Sequence, residues 1–548
     1  MAYGLTRPLV MGTDGMVVSG HPLASLAGAQ VLIAGGNAVD AAVAAAAALA
    51  VVEPSMSGLG GVGYLLLYRG RSQDVLALDF VGRSPRGLNA GQYSPATLRD
   101  GALSILVPGC VGGWFAALER YGTLPRDRVF HAALEFAEHG FPLSLQEAEV
   151  ITSNTSRLEA FEQSALIFLG NGGPPRPGTI LRQRQLAETL RAVMEGGAGA
   201  FYAGPIGAEI SRSVREAGGV LSEEDLAGFE AVWSAPVSAP YGRYIAWSPP
   251  PPSAGFEYLE VLRLADELVL TKHARNSARY IHLLAEAIKL TARDRIRYAS
   301  AASPPLHDLL SREHTRSLAS CVDRKQAKHG PGDFFVSDFV ATMETSGRER
   351  RYPEHTTHLS VVDREGSAVS LTQSLGWFFG SGMVAGDTGI VLNDFAYWFD
   401  QDVKSPNAVG PDKRVAMCLA PSIVTDAHQR GLVLALGTPG GWGIVQNVPQ
   451  MILNHLGYGM NVQAAIEAPR FQVLEGMKLL VEDAIPAETR RALARLGHDV
   501  RRLSDVNTGW LTSGTPWRLG GGIGISRSSD GILCGGADPR RDGYAIGY

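Results

Sequence analysis

A chain of 548 residues with 45% hydrophobic and 19% charged residues has the balance of a globular protein with large cores. Its net charge of −5 offers no basic surface for nucleic acid or an anionic membrane, and 65 glycines signal many tight turns. Cys110, Cys321, Cys418 and Cys534 are too scattered for a C-x-x-C zinc site, no apolar run follows a basic start at the N-terminus, and the Ala-rich run 41–52 is too short to span a bilayer; a cytoplasmic protein with reduced thiols is expected.

The first predicted elements are two helices. One begins at Pro22, a residue suited to the first helical position, and stops at Gly35-Gly36. Asn37 caps a second, alanine-rich helix that Pro54 ends. Residues 57–63 then spell G-x-G-x-x-G. A dinucleotide loop must follow a strand and open a helix, whereas here a helix precedes and a strand over 64–68 follows; the glycines are expected to let backbone approach backbone. A strand over 76–80 leads to Gly82-Arg83-Ser84-Pro85, where Arg83 is a candidate to bind a carboxylate. Helical periodicity dominates 108–140, with breaks at Gly122 and Pro125. Residues 145–300 read as mostly helical, with Gly218-Gly219 as a stop, Ser222 and Asp225 as a cap, Pro249 to Pro252 as a stiff connector and 281–298 as a long helix.

Residues 324–355 are polar, charged and interrupted by Gly and Pro, a composition that predicts mobility. The next stretch decides the functional reading. Residues 356–363 and 367–374 are rich in Thr, Val and Leu and flank Arg364-Glu365-Gly366, which predicts a β-hairpin with Gly in the left-handed position. Pairing about residue 365 sets Thr356 opposite Ser374, to within one residue of register, so their side chains fall within about 5.5 Å. A threonine hydroxyl is a weak nucleophile unless a base lies beside it, and its own freed α-amine can be that base. The plainer alternative is an ordinary hairpin with hydroxyls on a polar face. Further on come a strand over 389–393, a polar loop over 400–414 and strands over 422–425 and 432–436. The last enters Gly437-Thr438-Pro439-Gly440-Gly441-Trp442-Gly443 ahead of a helix from 444, a turn whose N–H groups suit an oxyanion or a phosphate. No G-x-S-x-G elbow, H-E-x-x-H or P-loop occurs, and nothing beside His355 and His358 completes a metal site.

Together these motifs resemble the γ-glutamyltranspeptidase family of N-terminal-nucleophile hydrolases, nearly end to end. The resemblance rests on Gly35-Gly36-Asn37-Ala38-Val39-Asp40, Glu53-Pro54 through Gly61, Pro108-Gly109, Thr356-Thr357-His358 with Ser360 to Asp363, Phe379 to Gly382, Pro439-Gly440-Gly441, Ala537-Asp538-Pro539-Arg540 and Gly547-Tyr548. It implies an α+β fold, a four-layer αββα sandwich formed jointly by two autocleaved fragments, 1–355 and 356–548, acting as one catalytic domain. It implies cleavage between His355 and Thr356, with Thr356 as nucleophile and its new α-amine as base. Ser374 falls where the family has a Thr that hydrogen-bonds the nucleophile, and Gly440 and Gly441 match the oxyanion-hole glycines. The implied partner is a small-molecule amide, with no cofactor, metal, nucleic acid or membrane; homo-oligomerisation stays open.

The departures bear on substrate. Family positions that hold the glutamyl ammonium and carboxylate carry Gly376 for an Asn, Phe395 and Trp398 for a Gln and an Asp, and Met417 and Cys418 for a Ser pair, while Arg83 is out of register with the family's Arg. A zwitterion is costly to desolvate without partners. Trp377, Phe378, Tyr397 and Trp442 add apolar surface nearby, or else belong to the core. The expectation is an autoprocessing amide hydrolase or acyltransferase that cleaves a γ-glutamyl or related amide through an acyl-enzyme on Thr356, with glutathione metabolism as the setting for γ-glutamyl substrates. An amidohydrolase for a less charged acyl group, such as an oxo-acid amide, a β-lactam side chain or a biosynthetic intermediate, is the alternative. An uncleaved binding protein is the second.

Overall fold

Two seven-stranded antiparallel sheets face one another in a computed structural model that describes residues 6–89, 98, 100–330, 355–400, 402–505 and 519–548. One sheet runs Tyr544–Gly547, Met16–Ser19, His355–Val362, Ala368–Gly376, Val62–Arg69, Asp74–Asp79, Val232–Ser234. The other runs Val10–Gly12, Leu533–Ala537, Ile523–Arg527, Leu432–Gly437, Ser422–Asp426, Tyr244–Ser248, Val237–Tyr241.

Side-chain alternation along the strands builds the layers. Leu359, Val361, Val369 and Leu371 turn outward into a core shared with the helices Pro22–Ile33, Ala38–Val52 and Arg126–His139. Their neighbours Val362 and Ala368 turn inward and meet Ile423, Ala435 and Ile525 of the second sheet. Leu434 and Leu436, either side of Ala435, face out again onto the helices Gly255–Glu267, Ala278–Tyr298 and Ile444–Ile452. Each fully buried Leu or Val contributes about 1.5–3 kcal/mol. The sum is the expected αββα sandwich.

The predicted caps are present. Pro22 opens the first helix, and the Asn37 side chain accepts from the N–H groups of Val39 and Asp40 at the start of the second, with Asp40 completing a capping box. Ser222 and Asp225 form another. The hairpin register matches 365-centred pairing from Thr357↔Gln373 through Val362↔Ala368, and Gly366 lies at φ 79° in the loop. Asp363 fixes that loop by accepting from the Glu365 and Ser367 N–H groups, and its other oxygen accepts from Ala38 N–H, which docks the hairpin on the alanine-rich helix. The glycines of 57–63 do let backbones meet: a Cβ on Gly61 would lie 2.6 Å from the Ser374 carbonyl oxygen.

Residues 145–300 are mostly helical as expected, and they also hold the strands Val232–Ser234, Val237–Tyr241 and Tyr244–Ser248, the first two at sheet edges, whose half-buried residues give little periodicity to read. Two expectations are corrected. Residues 389–393 form only the isolated bridges Gly60↔Leu392 and Val384↔Val391, because Gly389 is left-handed and the segment crosses the 57–63 turn instead of joining a sheet. The start of the segment expected to be mobile is anchored: Ala327 is buried, its N–H bonds to Leu496, and the Lys328 N–H bonds to the Glu286 carboxylate. Residues 331–354 of that segment lie outside the described residues. Among the described residues no helix is long and apolar enough to cross a membrane.

Candidate active site

Thr356 sits at the one irregularity of the central hairpin. His355 pairs with Gly376 while Thr357 pairs with Gln373, so Ser374 and Leu375 together oppose Thr356 across a bulge. Bulges re-aim side chains, and here three hydroxyl and carbonyl groups converge. The Thr356 hydroxyl donates to Ser374 Oγ at 3.1 Å, and Ser374 Oγ donates to the His355 carbonyl oxygen at 2.8 Å. Gly376 N–H donates to Ser374 Oγ at 3.0 Å and fixes its rotamer. A directed chain thus runs from the Thr356 hydroxyl through Ser374 to the carbonyl of the His355–Thr356 peptide. All three residues are buried.

Below Thr356 lies a small cavity of about 10 Å³, lined among others by Gly20, Glu53, Thr357, Pro439 and Arg541. Pro439 brings in the glycine turn: Gly440 and Gly441 follow at φ 133° and 53°, and the helix Ile444–Ile452 starts three residues later. The left-handed backbone of both glycines is open to few other residues.

Burial sets the charge states around the site. Desolvation holds His358 near a pKa of about 3, so it is neutral, with Nδ1 on the Thr372 hydroxyl at 2.8 Å. Desolvation pushes Glu53 up to about 7, against the Thr357 hydrogen bond and the Arg541 charge, which favour the carboxylate. Asp394 is likewise pushed up to about 7 by burial, opposed by Arg157.

The Gamma-glutamyltranspeptidase family profile matches residues 24–548. The glutathione hydrolase proenzyme of Bacillus subtilis (strain 168) is 33% identical over 562 residues, covering 100% of this chain and 93% of that protein. The acylase ACY 1 proenzyme of Pseudomonas sp. (strain SE83) is 33% identical, covering 98% and 94%. The crystal structure of cephalosporin acylase from Bacillus halodurans superposes with a TM-score of 0.87 at 29% identity, covering 100% of this chain and 98% of that one. The chain belongs to the γ-glutamyltranspeptidase family.

As a member of that family it is an autoprocessing amide hydrolase or acyltransferase of the N-terminal-nucleophile type, whose two fragments come from one chain. Gly376, Phe395, Trp398, Met417, Cys418 and Arg83 are the residues on which the expectation of a less charged substrate rests. Gly376, at φ 102°, has no room for any side chain, because a Cβ there would run into the Asp394 carboxylate. That carboxylate accepts from Trp377 N–H at 2.9 Å and pairs with Arg157. Phe395, Trp398, Met417 and Cys418 are all buried in the apolar cluster over the second sheet. Trp398 packs between Phe395 and Trp442, at 5.9 and 5.4 Å between ring centroids, and the Arg295 guanidinium covers the far Trp442 ring at 4.0 Å. Met417 bonds through its backbone to Pro252 and Ala254, so the Pro-rich connector supports this cluster from behind. Arg83 lies on the surface, where its guanidinium donates to the Asp412 carbonyl and faces the Asp412 carboxylate at 3.7 Å.

Sequence reasoning did not single out Glu53, Asp394 or Arg541 by role. Glu53 had one usable signal, an acid directly after the alanine-rich helix and before Pro54. Arg541 follows directly on the recognised Asp538-Pro539-Arg540. Two His-carboxylate clusters occur among the described residues, His282 with Glu286 and His498, and His314 with Glu260 and Asp294. In the first, Lys289 already neutralises Glu286; in the second, His314 bridges the two acids.

Proposed function

We propose that the chain cuts itself before Thr356 and then hydrolyses or transfers a small-molecule amide through an acyl-enzyme on that residue. The observation that carries this is the hydrogen-bond chain from Thr356 Oγ1 through Ser374 Oγ to the His355 carbonyl oxygen. In self-cleavage Thr356 Oγ adds to the His355 carbonyl carbon, and its proton moves along Ser374. The C–N bond then breaks with a proton going to nitrogen, which leaves an ester on Thr356 and a free α-amine. Water hydrolyses the ester to a His355 carboxylate. In turnover the α-amine takes the hydroxyl proton, Oγ attacks the substrate carbonyl, and the Gly440 and Gly441 amides receive the oxyanion. The amide nitrogen leaves as an amine with that proton, and water or another amine accepts the acyl group.

The acyl group we infer is less charged than γ-glutamyl. Gly376, Phe395, Trp398, Met417 and Cys418 offer no side-chain ion pair to a zwitterion, and Arg83 is engaged with Asp412. The acylase relatives support this reading; the equally similar glutathione hydrolase of Bacillus subtilis supports γ-glutamyl transfer as the second one. One experiment tests both. The purified protein should give two bands on a denaturing gel, the smaller beginning at Thr356, and should turn over neutral acyl anilides faster than γ-glutamyl-p-nitroanilide. Thr356→Ala should abolish cleavage and turnover together. Residual amidase activity in that variant would remove Thr356 as nucleophile, and a preference for the γ-glutamyl anilide would restore the second reading.

A further inference from the structure

We propose that Glu53 and Arg541 are positioning residues for Thr356, a pair that fixes the bulge from the two sides its strand ladder leaves open. The proposal rests on Thr356 being the nucleophile.

The register change between His355 and Thr357 leaves Thr356 without a Cα partner on the neighbouring strand. Its carbonyl oxygen accepts instead from Arg541 Nη1 at 3.1 Å. The following side chain is held as firmly: Thr357 Oγ1 donates to Glu53 Oε2 at 2.6 Å. The two groups come from opposite ends of the chain. Glu53 is the C-cap of the helix Ala38–Val52, and Arg541 follows the strand Leu533–Ala537. Both are buried, and both line the small cavity beside Thr356 and Pro439.

Two observations argue against a packing role. A buried acid and a buried guanidinium each lose water at a cost of several kcal/mol, and well-packed apolar residues of the same volume would hold a core at least as well. The surroundings are also shaped to admit the pair. At Gly20 a Cβ would come within 2.6 Å of both Glu53 Oε2 and Thr357 Oγ1, so the bare backbone there leaves the carboxylate its place. Arg541 and Glu53 act through the backbone of Thr356 and the side chain of Thr357. Acyl transfer is sensitive to such placement, since a misplacement of about 1 Å can cost about 10²-fold in rate.

The test uses the full-length protein with Arg541→Met and Glu53→Met, which remove the hydrogen bonds, and Arg541→Lys and Glu53→Gln, which keep one. Self-cleavage is followed by gel and turnover by kcat and KM on the fully cleaved fraction. Both Met variants should lengthen the cleavage half-time about tenfold or more and lower kcat by a similar factor, with KM within about twofold of wild type. The Lys and Gln variants should recover most of both. If a Met variant misfolds, as its melting temperature reveals, the Lys and Gln variants decide: each should then show a smaller kcat loss at unchanged KM. Cleavage and kcat within about twofold of wild type in all four variants, or KM rising in step with falling kcat, overturns the proposal. Thr356→Ala in the same series separates the failures: if that variant still cleaves, the nucleophile assignment falls; if it is inert while the Met variants behave as wild type, only the positioning role falls.

Discussion

At the residue scale the proposed chemistry turns on Ser374. It touches both ends of the reacting unit, accepting from the Thr356 hydroxyl and donating to the His355 carbonyl, with Gly376 N–H holding its oxygen in place. A hydroxyl accepts and donates at once, so the direction of this chain follows from its donors alone. Removing it leaves the Thr356 proton without a relay and the scissile carbonyl without its donor. A positioned proton-transfer group is worth roughly 10²–10⁴-fold. Ser374→Ala should therefore slow self-cleavage by about 10²-fold or more, as timed by gel, and Ser374→Thr, which keeps the hydroxyl, should restore most of the rate. Unchanged cleavage in Ser374→Ala would show that another group carries the proton. Pairing arithmetic on the sequence brought these two hydroxyls together to within one residue. It could not show the bulge, because a bulge is set by what lies opposite, here Leu375 bonding to Met56 and the Thr356 carbonyl bonding to Arg541, contacts remote in sequence.

At the element scale, helices and strands with local causes were legible and those with tertiary causes were not. Pro22, Asn37 and Ser222 start helices by satisfying their own first N–H groups, so a few residues suffice to read them. The strands of 232–248 exist because Ser422–Asp426 and Asp74–Asp79 offer them partners, and no local pattern announces that. Phe395 and Trp398 show the same limit for the site: their composition pointed to apolar surface, but Phe395 packs on Trp398 and Trp398 on Trp442 within a cluster shared with the helices 255–298. One connection among those helices makes a pH prediction. His314, on the helix Arg312–Cys321, lies 3.5 Å from Glu260 on Gly255–Glu267 and 2.8 Å from Asp294 on Ala278–Tyr298. The two carboxylates push its pKa up to about 9 from 6.5. The folded state therefore binds this proton more tightly, and the stability it adds is complete below pH 6.5 and is lost as pH rises through 9. His314→Gln should lower unfolding free energy by about 1–2 kcal/mol at pH 6 and by much less at pH 10, measured by urea denaturation. An equal loss at both pH values would mean the imidazole packs rather than pairs.

At the scale of the whole molecule, the proposed cleavage before Thr356 would divide the sequence without dividing the fold. Met16–Ser19 from the first fragment lies between Leu359–Val362 and Tyr544–Gly547 from the second. Ala368–Ser374 pairs with Val62–Tyr68, Ser422–Asp426 borders Tyr244–Ser248, and Val10–Gly12 adds to Leu533–Ala537. Both sheets are thus interlaced from both fragments, and the core between them, with Met16 and Val18 against Ile423, Ile523 and Ile525, belongs to neither alone. A fragment leaving its partner would expose strand edges and both faces of each sheet, surface that in one chain is covered at a cost already met by folding. The break falls after the first residue of its strand, so of the ladder pairs with Ala368–Gly376 only His355↔Gly376 lies on its far side. The cleaved protein should accordingly elute at the size of the uncleaved 58.3 kDa chain or a whole multiple of it, with both fragments in the same fractions. In urea, the loss of helical circular dichroism and the shift in fluorescence of the tryptophans, which include Trp114 and Trp247 before the break and Trp377 and Trp442 after it, should coincide. Fragments that separate on the column without denaturant, or two transitions resolved by the two signals, would show that each fragment holds a core of its own and that the interlaced sheets do not bind the halves together.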